Sequence, residues 1–85
     1  MEKTFYCNKE WLNEPESPST GSVVCYHGIA DFADGEGENL FIEIADCKSK
    51  VRLHKTHGST RAQFIAKLER LQSALADFHD HLTSF

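Results

Sequence analysis

The sequence predicts an α+β fold, a small antiparallel sheet of three to four strands in a meander or hairpin arrangement, covered on one face by a long C-terminal helix. Two patterns carry that reading. Between Leu40 and His54 apolar and polar residues alternate with a period of two, the signature of a strand with one buried face. Between Thr60 and Leu82 the large apolar residues Phe64, Leu68, Leu71, Leu75, Phe78 and Leu82 recur at alternating steps of four and three, which places them on one stripe of an α-helix.

The remaining elements follow in chain order. Phe5 to Leu12 is rich in aromatics and reads as a first strand. The segment 13–21 holds both prolines and almost nothing apolar, so it reads as an exposed Pro/Ser-rich loop. Ser22 to Tyr26 is β-branched and aromatic, and the strand is expected to continue to Phe32 with a bend or bulge at His27-Gly28. Asp34 to Asn39 is dense in acids and glycine and reads as the turn that follows. A hairpin turning on Cys47-Lys48 sets Ile42 opposite Leu53 and Ile44 opposite Val51 on one face. Phe41 then meets His54, Glu43 meets Arg52 and Ala45 meets Lys50 on the other. A slip of one residue would mix the two faces, so the pattern selects this register. Thr60 with Gln63 three residues later forms the capping-box pattern for the helix start.

A chain of 85 residues makes a single domain, read here as 1–85. So short a chain buries only about 60 to 65% of its unfolded surface, which makes assembly an attractive source of stability. No apolar run approaches the roughly 18 residues of a membrane span, and the N-terminal residues lack the basic flank and apolar core of a secretory signal. Cys7, Cys25 and Cys47 are odd in number and widely spaced, which argues against a disulfide framework. The expected location is therefore the cytoplasm.

Charge is unevenly distributed. Residues 1–46 carry ten acids and two lysines, whereas residues 47–70 carry seven Lys or Arg and one acid, within a chain of net charge −4. Lys48, Lys50, Arg52 and His54 alternate along the last strand, and Lys55 and Arg61 extend the basic row. Such a row suits an anionic partner, although Glu43 is expected to pair with Arg52 and the chain as a whole is acidic. On the helix, Lys67 and Arg70 lie in the first half and Asp77 and Asp80 in the second. An antiparallel pair of such helices sets unlike charges side by side, which favours a two-fold homodimer. Trp11 and Phe41 complete the candidate interface, with Trp11 expected to be partly exposed and two of Trp11, Tyr6 and Tyr26 expected in the core.

No metal or other cofactor is expected. The closest pairs, Cys25-x-His27, His54-x-x-His57 and His79-x-His81, lack the ligand spacing of a structural zinc site, and the acidic glycine segment 31–39 lacks the alternating ligands of a calcium loop. No phosphate-binding glycine loop, nucleophile elbow or HExxH motif is present. The sequence therefore leads to a non-enzymatic protein–protein interaction module that acts as a homodimer, with no membrane role. The alternative is a nucleic-acid or anion-binding module using Lys48, Lys50, Arg52, His54, Lys55 and Arg61.

Overall fold

The computed structural model describes residues 2–18, 20–56 and 58–85. It contains a four-stranded antiparallel sheet, β1 (Lys3–Trp11), β2 (Ser22–Phe32), β3 (Gly35–Asp46) and β4 (Ser49–His54), followed by one helix, α1 (Arg61–Ser84). The strands lie in the order β1-β2-β3-β4, a meander in which every neighbour in space is a neighbour in sequence. The chain forms two compact units, Met1–His54 with the sheet and Lys55–Phe85 with the helix.

Within the sheet, the β3–β4 register pairs Ile42 with Leu53, Ile44 with Val51, Glu43 with Arg52 and Phe41 with His54, as the alternation requires. The two-residue connection places Cys47 at φ 53°, a left-handed conformation that glycine adopts more easily. β2 spans Ser22 to Phe32 as expected, whereas β3 is longer than the sequence implies. The expected turn over 34–39 is instead strand from Gly35 onward, paired residue for residue with β2 from Phe32 to Ser22. Gly35, at φ 122°, begins β3 directly after the short turn, so the local preference of acids and glycines for turns yields to continued pairing.

The expected bend at His27-Gly28 sits on the neighbouring strand. β2 runs through that point unbroken, and the register shift falls in β1 between Thr4 and Tyr6, opposite the His27-Gly28 pair. Gly28 is needed there because a Cβ would meet the Lys3 carbonyl oxygen and the Tyr26 hydroxyl. The loop 13–21 is closed at its base by the Leu12 amide, which donates to the Gly21 carbonyl at 2.8 Å. A tight turn inside it has the Ser17 amide donating to the Glu14 carbonyl at 2.9 Å.

Directly opposed residues share a face, so the register sorts the sheet into two surfaces. Val23, Cys25, Leu40, Ile42, Ile44, Val51 and Leu53 project on the aliphatic side. There Leu40 and Ile42 are buried, and the other five range from half-buried to exposed, with Val51 on the edge strand the most open. At one end of this side His27 meets Glu38 at 2.9 Å beside the Phe5 ring. The opposite side carries Lys9, Trp11, Tyr26, Phe41, Glu43, Lys50, Arg52 and His54.

In the helical unit, the capping box forms as the sequence implies. The Gln63 amide donates to Thr60 Oγ1 at 3.1 Å, and the Thr60 amide donates to Gln63 Oε1 at 2.8 Å. Thr60→Ala leaves an orphan amide at the helix start and is expected to cost about 1 kcal/mol. The loss is read as a lower urea midpoint of the helical far-ultraviolet circular dichroism signal. The stripe does not serve as core along its length. Phe64 is buried and Leu68 and Leu71 are half-buried, but Leu75, Phe78 and Leu82 are 57, 61 and 58% exposed. The buried hydrophobic core of the described residues is Leu40, Ile42 and Phe64.

Candidate functional site

Two surfaces emerge, one in each unit. On the sheet, the pairing brings five of the residues singled out from sequence to one face. Lys50, Arg52 and His54 stand along β4, Phe41 on β3 and Trp11 on β1. They fall into ranks across the strands. Trp11, Ser22, Ala45 and Lys50 make one rank, Lys9, Val24, Glu43 and Arg52 the next, and Cys7, Tyr26, Phe41 and His54 a third. Lys48 is exposed in the turn before β4. Lys55 and Arg61 belong to the helical unit, so the basic row divides between the two units.

Glu43 lies at the centre of the sheet face. It accepts from Arg52 Nη2 at 2.7 Å and Arg52 Nε at 3.2 Å, and Lys50 Nζ approaches its other oxygen at 3.6 Å. The Arg52 hydrogen bonds, with the charge of Lys50 added, hold the Glu43 carboxyl below the usual carboxylate range. Such a depressed group stabilises the fold at pH values above its unfolded pKa, and that contribution is lost as pH falls through its folded value. An NMR titration of the Glu43 side-chain carboxyl is expected to show a midpoint below the ordinary one, and Arg52→Ala to raise it. A midpoint unmoved by Arg52→Ala would show that this pair does not persist in solution.

The aromatic members of the face are arranged as stacks. Tyr26 and Phe41 lie 4.9 Å apart at 14°, Arg52 sits over the Phe41 ring at 4.0 Å, and Lys9 sits over Trp11 at 4.4 Å. Tyr26 also shares a 3.0 Å hydrogen bond with Thr4 on the edge strand. Trp11 is 65% exposed, as its place beside the loop implies, and Tyr6 is exposed as well, so the expectation of two core aromatics among Trp11, Tyr6 and Tyr26 is corrected. Only Tyr26 is half-buried. Lys9 is not singled out by the sequence, and Tyr26 is expected there only as a core aromatic. Lys9 shares the parity of Trp11, and Tyr26 that of Val24, but only the pairing across strands fixes which face of the sheet that parity joins.

The second surface is the exposed length of the α1 stripe. At 100° per residue, Leu71, Leu75, Phe78 and Leu82 make a continuous apolar strip, with Lys67 on one flank and His79 on the other. Arg70, Asp77 and Asp80 project away from that strip. They therefore act as charge blocks along the helix rather than as contacts at the strip itself. No acid occupies the first turn, and His81 is the basic residue of the last.

Among the described residues no group of three or more His, Cys, Asp or Glu converges in a way that would hold a metal ion. The His54-x-x-His57 pair involves a position outside the described residues. Cys7, Cys25 and Cys47 form no disulfide, and Cys7 and Cys47 are exposed. No described helix is long and apolar enough to cross a membrane. The chain matches no family model, and neither a curated protein nor a solved structure matches it.

Proposed function

We propose that this chain is a non-enzymatic protein–protein interaction module, in the manner of an adaptor, inhibitor or regulatory subunit, and that it works in the cytoplasm as a homodimer assembled through α1. The observation that carries the reading is the exposure of Leu75, Phe78 and Leu82 on one stripe. Isolated exposed hydrophobics are ordinary on protein surfaces, but a contiguous apolar strip on a helix is the kind of surface that association covers.

The sequence of the stripe favours a second copy as the occupant. Its steps of four and three read the same in either direction about Ser73, so an antiparallel partner sets Leu71 against Leu75, Leu68 against Phe78 and Phe64 level with Leu82. That is the self-complementarity of a two-fold interface. The same superposition sets Lys67 level with His79 and Arg70 level with Ala76, one residue short of Asp80 and Asp77, so the basic half of one helix runs beside the acidic half of the other and attraction follows. Sedimentation equilibrium tests the proposal. A mass twice the 9.6 kDa of the chain is expected, with dissociation on dilution. A monomer across the accessible concentration range would refute it.

A further inference from the structure

Beyond assembly, the basic side of the sheet has the chemistry of a ligand surface, and we infer that it binds single-stranded nucleic acid. The first argument is the sorting of charge by the register. Glu10, Asp31, Glu36, Glu38 and Asp46 all project from the aliphatic side, and Glu43 is the one carboxylate within the strand pairs of the opposite side. Three permanent cations, Lys9, Lys50 and Arg52, share that side with it. The acidity of the whole chain therefore does not describe this face, and its local field attracts phosphates.

Shape supplies the second argument. The central strands contribute Ser22 and Ala45 to the floor of the first rank and Val24 and Glu43 to the second, where Glu43 is engaged by Arg52 and Lys50, between taller residues at the edges, Trp11 and Lys9 on β1 and Lys50 and Arg52 on β4. Neighbouring strands are about 4.8 Å apart, so the two cationic edges stand roughly 14 Å from each other across the sheet. Along β4, Lys50, Arg52 and His54 recur about every 6.8 Å, a repeat suited to successive phosphates of an extended strand.

The third argument is the aromatic content. A polyanion without rings would need only the cations, whereas this face sets stacked Tyr26 and Phe41 at the end of the floor and Trp11 at its side. Arg52 Cζ sits 4.0 Å from the Phe41 ring centroid, and a guanidinium plane offers a base the same kind of stacking surface as an aromatic ring. A duplex keeps the faces of its bases inside its own stack, so the surface selects for single strands.

Fluorescence anisotropy of labelled oligothymidine and oligouridine, titrated with the full chain at low salt, tests this. With two to three phosphates neutralised, affinity is expected to fall about tenfold to twentyfold when salt is raised from 50 to 200 mM. Lys9→Glu with Lys50→Glu, both at exposed positions that leave the core intact, is expected to weaken binding at least about tenfold. Glu43→Gln removes the opposing charge while keeping an acceptor for Arg52, and is expected to tighten binding several-fold. Trp11→Ala should weaken it without changing the salt dependence. No anisotropy change up to about 100 µM protein at low salt would overturn the inference. So would binding untouched by the double charge reversal, or equal competition by heparin or by duplex of the same length.

Discussion

Ile42→Ala is expected to remove about 2 to 5 kcal/mol of stability, enough to leave much of the protein unfolded near physiological temperature. The size of the effect follows from how little else the sheet has. A chain of 85 residues has a total stability of about 4 to 13 kcal/mol. Ile42 is 7% exposed and lies in the middle of β3, opposite Cys25 on one neighbour and Leu53 on the other. Removing its side chain leaves a void that strands paired on both sides cannot easily close. Val51, opposite Ile44 on the edge strand, is 54% exposed and provides the contrast, since Val51→Ala is expected to cost no more than about 0.5 kcal/mol beyond its loss of β propensity. Urea unfolding followed by far-ultraviolet circular dichroism reads both. Equal midpoints for the two variants would mean that the aliphatic side is not the centre of the folded sheet.

What was legible in the sequence was periodicity, and what was not was anything that depends on a partner strand. The β3–β4 hairpin could be registered because both strands carry alternating patterns that make sense in only one alignment. The helix and its capping box were likewise local. The start of β3 was read as a turn because Gly35, Glu36 and Gly37 have poor strand propensity, and the pairing with β2 that overrides this is visible only once Phe32 faces Gly35. The same limit hid the composition of the basic face. Lys50 and Arg52 announce themselves by alternation, but Tyr26 joins them only through its pairing with Phe41 across β2–β3, and Lys9 only through its pairing with Val24 across β1–β2. The stripe on α1 is legible as a stripe, and a helix that covers a sheet implies that its apolar stripe is buried. Exposure is not a local property, and Leu75, Phe78 and Leu82 of the helical unit are each more than half exposed.

Leu75→Glu with Phe78→Glu is expected to convert the dimer to a monomer while leaving the helix and sheet folded. Both side chains are more than half exposed, so each glutamate projects into water in the single chain and costs it little. In the antiparallel pair the situation reverses. Leu75 meets Leu71 and Phe78 meets Leu68 twice over, because every contact of a two-fold interface is repeated by symmetry, and four carboxylates then enter an apolar seam. Unpaired charges in such a seam cost several kcal/mol in total, and each 1.4 kcal/mol is a tenfold loss of affinity, so the affinity of the dimer should fall by at least about a thousandfold. Lys67→Glu with Arg70→Glu is the gentler companion. It places like charges within one residue of the level of Asp80 and Asp77, and it should weaken the dimer several-fold at low salt with the difference shrinking as salt is added. The same substitutions at Leu75 and Phe78 would instead lower the unfolding midpoint sharply if those side chains fold back onto the chain in solution. Sedimentation equilibrium and urea unfolding on the one variant therefore separate a strip kept open for a second copy from one covered within the monomer.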